Sequence, residues 1–352
     1  MKKITAIKIG KFTVGKGKPV FIIAEAGVNH NGRLDLALKL IDAAAHAGAD
    51  AVKFQTFKAE QVVTSDMPMA AYQKKNLGLE EGQLEMVRKL ELKEDWYPKL
   101  IKRAKERKIM FISAPHGGIP SADFLRSLNI PAYKIASGDL INTPLLRHVA
   151  QFKKPMVIST GMATLDEVKE AVREIRNEGN NAIVVLQCTT DYPLSPQDVN
   201  LRSMDTIAKA THCLVGYSDH TMGATASIAA VARGAIVIEK HLTLDKKMYG
   251  PDHKASLNPE EFKTMITEIR HTETMLGLAT KKPTQSEKKL INIVRKSVIA
   301  LRPIKRGERF TNKNLGVKRP GNGLHPREYF KLIGKAAKRD LAEDELLTKR
   351  DL

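Results

Sequence analysis

The sequence predicts a (β/α)8 TIM barrel followed by a small β-rich domain, and three observations carry that expectation. Eight short apolar runs recur along the chain, at 20–25, 51–56, 109–113, 132–137, 155–160, 182–188, 214–218 and 235–241. Most are followed by a segment with helical apolar spacing, and each ends in polar or charged residues. Continuous apolar runs mark strands buried on both faces of a parallel sheet. Eight β/α units in one stretch fit a closed barrel better than a doubly wound open sheet.

Residues 3–18 alternate weakly around Gly10, Gly15 and Gly17 and read as a hairpin ahead of the barrel. The first unit runs from Phe21 to Glu60. It comprises a strand ending in Glu25, a helix with Leu34, Leu38 and Ile41 on one face, a stop near Gly48, and a second strand. Leu165–Ile175 and Ala226–Ala232 are further helical segments. The barrel with its hairpin takes residues 1–278, and the polar, proline-containing stretch 279–294 reads as a linker. Residues 295–352 make the small domain, with a strand at Ser297–Leu301, a turn at Lys305–Glu308 and a weak helix near 326–333. A domain this small is marginal alone, so it is expected to pack against a barrel, its own or a partner's.

Composition narrows the function classes. The 352 residues are 42% hydrophobic and 28% charged, as in an ordinary globular protein. No stretch approaches the roughly 20 apolar residues of a membrane span, and the N-terminus lacks the apolar core of a signal peptide. A cytoplasmic protein without membrane partners is expected. Cys188 and Cys213 are the only cysteines, so no disulfide framework is indicated. The net charge is +19, but the lysines and arginines are dispersed and aromatics make up only 5%. That pattern favours a basic surface around an anion-binding site over nucleic-acid binding.

The strand ends carry the chemistry. In order they offer Glu25, then Lys53 and Gln55, Ser113 with His116, and Lys134 with Ser137 and Asp139. Ser159, then Cys188 to Tyr192, Ser218 with His220, and Glu239 with His241 complete the set. The C-terminal edge of a barrel is where active sites are built. Lys53 and Lys134, with the hydroxyls of Ser113 and Ser137, suit a phosphate or phosphoenolpyruvate. A Schiff-base lysine is the open alternative. His220 and His241 end adjacent strands, and Glu25 belongs to the strand that closes the barrel beside them. Two imidazoles near a carboxylate suit a divalent metal with open positions. His30, His116 and His253 are weaker candidates.

The segments AEAGVNHNG (24–32), DAVKFQTFKAE (50–60), YKIASGD (133–139), ISTGMAT (158–164), GYSDHT (216–221), IEKHLTLD (238–245), GPDHKAS (250–256) and VKRPGNG (317–323) span nearly the whole chain. In combination they resemble the sialic acid synthase family, and the small domain is similar to its antifreeze-like SAF domain. The resemblance implies condensation of phosphoenolpyruvate with N-acetylmannosamine to N-acetylneuraminate and phosphate. Its alternative is the same chemistry on the precursor of N,N'-diacetyllegionaminate, and a Schiff-base aldolase is more distant. It also implies a divalent metal, manganese first, with magnesium or cobalt as substitutes, held by His220 and His241. Lys53, Lys134, Ser137 and Ser218 would hold phosphate and carboxylate, with Thr190 at a position that is asparagine or threonine among relatives. Gln55, Asp139, Tyr192 and Asp252 would contact the sugar. Glu25 would act on water or on the developing cation. A domain-swapped homodimer would bring Arg319 to the partner's barrel. Ala114, His116 and Asp139 stand where the family commonly has threonine, phenylalanine and glutamate.

Overall fold

The computed structural model describes residues 4–68 and 82–352. The chain divides into two compact units, Met1–Gly277 and Leu278–Leu352. The first opens with an antiparallel hairpin of β1 (Ala6–Ile9) and β2 (Phe12–Gly15). Eight parallel strands follow: β3 (Phe21–Gly27), β4 (Ala51–Thr56), β5 (Met110–Pro115), β6 (Tyr133–Ile135), β7 (Met156–Ser159), β8 (Ile183–Cys188), β9 (Leu214–Asp219) and β10 (Val237–His241). They close in the order β10-β3-β4-β5-β6-β7-β8-β9, the (β/α)8 barrel expected from the sequence.

Alternation of side chains along each strand sorts the residues into two cores. Phe21 and Ile23 on β3, Ala51 on β4, Ile112 on β5, Val157 on β7 and Val184 and Leu186 on β8 form the inner cluster. Ile7, Ile9 and Val14 of the hairpin belong to the same cluster, so the hairpin plugs the N-terminal end of the barrel. The intervening residues, among them Ile22, Val52, Phe54, Phe111, Tyr133 and Ile158, pack outward with the helices. The inner apolar cluster stops short of the C-terminal end, where the inward positions become Glu25, Lys53, Lys134, Cys188, Ser218 and Glu239.

Two local expectations gain detail. In the helix Leu34–Ala47 the buried positions are Leu36, Ala37, Leu40, Ile41, Ala44 and Ala47, and Leu34 and Leu38 pack half-buried against the same core. The small alanines let this helix approach the barrel closely and move the contact face round. The stretch read as a linker contains a helix, Gln285–Val294, closed by a capping box between Thr284 and Glu287. Its apolar residues Leu290, Ile293 and Val294 were masked in the sequence by the surrounding lysines, and the helix buries none of its residues within its unit.

The second unit has its own core of Val298, Ala300, Ile304, Phe310, Leu315, Leu324, Leu332, Leu341 and Leu347. Antiparallel strands β11 (Ser297–Ala300) and β12 (Leu315–Lys318) frame it. The turn at 305–308 forms around Gly307, with Glu308 N–H donating to the Lys305 carbonyl (2.9 Å). The helix expected near 326–333 is Tyr329–Leu332 after one 3-10 turn.

Candidate active site

Four charged groups meet at the mouth of the barrel. Lys53 Nζ lies 2.8 Å from Glu25 Oε2 and 3.9 Å from Glu239 Oε1, and Lys134 Nζ lies 3.6 Å from the same Glu239 oxygen. Gln55 Nε2 donates to Glu25 Oε1 (3.1 Å) and Ser218 Oγ donates to Glu239 Oε1 (3.1 Å). All four charged residues are buried. Burying charge is costly unless it is compensated, and here two carboxylates balance two ammonium groups. Register explains the geometry. Glu25 pairs with Lys53 across β3 and β4 and with His241 across β3 and β10. A bulge between Glu25 and Gly27 ends this pairing, with Gly27 at φ +50°. A Cβ there would press on Glu25 Oε1 at 3.1 Å.

Electrostatics differ among the four. Burial raises the Glu25 carboxyl; Lys53 opposes this, Glu239 reinforces it, and the net shift is upward. Burial also works against ionised Glu239, but Lys134, Lys53 and His220 outweigh it and hold the carboxyl below its ordinary range. Burial depresses Lys134, with Glu239 opposing. Lys53 stays above its usual value because Glu239 and Glu25 overcome its burial. The two acids are thus separated in acidity, the arrangement by which paired carboxyls take different roles.

The sequence places Glu239 among the polar strand ends without assigning it a role. The signal was present: it is two residues before His241 on one strand, hence on the same face. Ser113 is the converse case. It lies on the outward face of β5, bonded to Thr56 Oγ1 (2.7 Å) and donating to the Phe54 carbonyl (3.0 Å). Ile112 and Ala114 take the inward positions instead, so Ser113 is removed from the mouth and its hydroxyl supports the β4–β5 packing.

His220 and His241 come together as expected, with ring centroids 5.5 Å apart. Tyr192 stacks on His220 at 4.1 Å and stands edge-on to His241 at 5.6 Å. His220 Nδ1 donates to the Thr189 carbonyl at 2.7 Å, which in the neutral ring puts the lone pair on Nε2; burial lowers the ring's proton affinity, but Cys188, the Thr189 carbonyl and Glu239 together raise it above the ordinary value. Such a second contact is typical of metal-ligating histidines. His241 Nδ1 is buried without a hydrogen-bond partner among the described residues, 4.0 Å from Asp252 Oδ2. Burial, then His220 and Lys53, push its imidazole well below its ordinary pKa, so it is a neutral donor. No group of three His, Cys, Asp or Glu side chains able to cage a metal occurs among the described residues. His220 Nε2 and the neutral His241 ring are the donors that this corner of the mouth offers to a cation.

The remaining candidates spread around this centre. Ser137 Oγ accepts from the Gly161 N–H (3.0 Å) and lies 3.5 Å from Cys188 Sγ. A Cβ on Gly161 would meet Ser137 Oγ at 2.7 Å and collide with Thr190 Oγ1, so any larger residue here would displace both hydroxyls. Thr190 is exposed. Asp139 Oδ2 lies 3.5 Å from His116 Nδ1. Burial raises Asp252 to about 6, with Glu25 adding to the shift. His253 and His30 are structural. His253 bridges Thr243 Oγ1 (2.7 Å) and Asn31 Oδ1 (3.1 Å), and His30 Nδ1 accepts from the Gly32 N–H (3.1 Å). Arg319 is exposed in the second unit. Apart from Glu25 Oε2, which faces the Lys53 ammonium at 2.8 Å, three buried atoms in the mouth, Glu239 Oε2, His241 Nδ1 and Ser159 Oγ, lack hydrogen-bond partners among the described residues. Unsatisfied buried polar atoms are rare in proteins, and their clustering here marks a site completed by ligands.

The chain matches the NeuB family model over residues 40–281 and the SAF domain model over residues 295–352. It is 48% identical to an N,N'-diacetyllegionaminic acid synthase of Campylobacter jejuni over 94% of this chain and 99% of that protein. It is 39% identical to human N-acetylneuraminate-9-phosphate synthase over 95% of this chain and 93% of the relative. Among solved structures, an N-acetylneuraminic acid (sialic acid) synthetase of Leptospira borgpetersenii, crystallised with citrate, superposes with a TM-score of 0.72 at 32% identity. That match covers 82% of this chain and 95% of the other. No described helix is long and apolar enough to cross a membrane. With matches of this extent, the chain belongs to the NeuB family of sialic-acid-type synthases, enzymes that condense phosphoenolpyruvate with a sugar, and it ends in a SAF domain.

Proposed function

We propose that the sugar is the diacetamido-trideoxy aldose that yields N,N'-diacetyllegionaminate, with N-acetylmannosamine as the second reading. The observation that carries the chemistry is the Lys53–Glu25–Glu239–Lys134 cluster beside the two imidazoles. The choice of sugar is supported by the 48% identity to the legionaminic acid synthase against 39% to the human neuraminate-9-phosphate enzyme. It reverses the order in which the sequence motifs alone rank the two sugars.

Lys53 and Lys134 bind the phosphate and carboxylate of phosphoenolpyruvate, with Ser137, Thr190 and Ser218 adding hydroxyls. Binding draws the lysines from their carboxylates and leaves Glu25 and Glu239 facing the reacting carbons. Gln55, Tyr192 and Asp252 hold the sugar with its aldehyde toward His220 and His241. A divalent cation held by these two histidines would supply Lewis-acid polarisation of that aldehyde. Carbon 3 of phosphoenolpyruvate bonds to the aldehyde carbon, whose oxygen ends with the proton that Glu25 takes from the attacking water, and positive charge develops at carbon 2. Glu239, kept ionised by the lysines, stabilises that charge. Glu25, with its raised pKa, accepts the proton of the water that adds to carbon 2. Cleavage of the carbon 2–oxygen bond, its electron pair going to phosphate together with the carbon 2 hydroxyl proton, then releases phosphate and leaves the ketone.

Phosphate release and product mass, measured on metal-stripped protein with and without manganese and with both sugars in parallel, test this reading. Manganese-dependent turnover favouring the diacetamido sugar supports it. Turnover of N-acetylmannosamine alone moves the enzyme to the neuraminate branch, and borohydride-trapped adducts would point to a Schiff base instead. We further propose a domain-swapped homodimer in which Arg319 serves the partner's barrel. Mixing Arg319→Ala with Glu25→Ala subunits should then restore part of the activity, and verified heterodimers without activity would refute it.

A further inference from the structure

His220 and His241 each follow a charged residue whose side chain turns away from the mouth. Asp219 precedes His220, Lys240 precedes His241, and the two pair across β9 and β10. Two positions earlier Tyr217 pairs with Ile238, and both pack outward with the helices. The strand period of two puts Asp219 and Lys240 on that same outward face. There Lys240 Nζ lies 3.0 Å from Asp219 Oδ2, with both side chains 0% exposed. The carboxylate is fully engaged. Its Oδ1 accepts from the Thr221 N–H (2.9 Å) and the Thr221 hydroxyl (2.8 Å), and Oδ2 accepts from Ser227 Oγ (2.6 Å) on the helix Thr225–Ala232. Lys240 Nζ also donates to the Thr221 carbonyl. The β9–β10 register ends at Asp219 and Lys240, one residue short of His220. Past that point the Lys240 side chain, through Thr221, ties the turn carrying His220 to β10.

We propose that Asp219 and Lys240 are the positioning residues of the cation site, an ion pair behind the sheet that fixes the separation of His220 from His241 in front of it. The proposal rests on the reading above that these two histidines hold the cation. A buried ion pair adds little stability over apolar residues of the same volume, because desolvating both charges offsets their attraction, and its best-attested use is to fix register. Each partner here has its own part in that. Asp219 shapes the turn around His220, as an aspartate bonded to the N–H two residues on does. Lys240 joins that turn to the strand that carries His241. The His241 ring has no hydrogen bond at Nδ1 among the described residues to hold it, so its place follows its strand. The 5.5 Å between the ring centroids is therefore set from the outer face of the barrel.

The test compares wild type with the double variant Asp219→Asn/Lys240→Met, a neutral replacement of similar volume whose asparagine oxygen can still accept from Thr221. Manganese binding is titrated by electron paramagnetic resonance of the free ion, alongside thermal unfolding and steady-state kinetics. The double variant should melt close to wild type, since the pair as a whole contributes little stability. It should nevertheless bind manganese about 10- to 100-fold more weakly, the scale on which residues supporting metal ligands act. KM for phosphoenolpyruvate should stay near the wild-type value, because Lys53 and Lys134 stand on β4 and β6. Manganese affinity equal to wild type in the folded double variant overturns the proposal, whatever its melting temperature. Lys240→Met alone, which leaves Asp219 its three hydrogen bonds from Thr221 and Ser227, makes the same comparison should the double variant not fold. Wild-type protein that binds no manganese, or His220→Ala protein that binds it as tightly as wild type, would instead refute the two-histidine reading and the proposal with it.

Discussion

Glu239 accepts from Ser218 and lies within 4 Å of two ammonium groups, so its loss should be felt in both charge and chemistry. Glu239→Gln should lower kcat by about 100-fold or more, the scale of a removed electrostatic stabiliser, without raising KM for phosphoenolpyruvate. Lys134 would also lose the main opponent of its burial. Its pKa should fall further, moving the alkaline limb of the kcat/KM profile to lower pH. A raised KM with unchanged kcat would show that Glu239 only positions the lysines. Glu239 and Ser113 also show where the sequence stopped being legible. Residue types and strand ends were plain, but strands apolar on both faces show no alternation from which to read inward and outward positions. The sequence therefore puts Ser113 in the mouth and gives Glu239 no role, although a count of two back from His241 sets Glu239 on the same inward face.

Among elements, the N-terminal hairpin has an unexpectedly structural part. Its position before the barrel was visible in the sequence, but its role as a plug was not, because weak alternation over so few residues does not say which surface it covers. Ile9 is fully buried in the inner cluster. Ile9→Ala should cost about 2–4 kcal/mol of stability, the usual range for such a cavity. Denaturant unfolding of the variant would check this, with KM for both substrates unaltered because the hairpin closes the end remote from the chemistry. The helix Gln285–Val294 shows a different limit of the sequence: its lysines made the stretch look like linker, while its capping box, Thr284 to Glu287, was the legible sign of a helix start.

For the whole molecule, pH and salt act on different features. Fully buried His30 has its pKa lowered to about 4 by burial and then by His253. Because the folded-state value is depressed, its contribution to stability is complete above about 6.5 and is lost as pH falls toward 4. That loss amounts to about 3 kcal/mol. The melting temperature of wild type should therefore drop faster over this interval than that of His30→Gln, and parallel curves would exclude His30 as the cause. The +19 net charge acts in solution at longer range. Raising ionic strength from about 0.01 M to about 0.15 M shortens the screening length from about 30 Å to about 8 Å. It should reduce kcat/KM for the anionic substrate several-fold while leaving kcat unchanged. The dispersed basic residues, read from the sequence as a surface around an anion site, would then show their value in capture rather than in turnover.

The two-core arrangement of the barrel also has a consequence for how this protein can vary. Position along a strand acts as a binary address, with odd numbers on β3 and β4 pointing to the reaction and even numbers to the helices. Substitutions change one letter at one address, whereas deletion of a single residue before Lys53 would exchange the two sets, presenting Phe54 to the substrate and Lys53 to the helices. Length changes should therefore be absent from these strands in any functional library of variants, even at residues where every substitution is tolerated, and should be confined to the connecting loops.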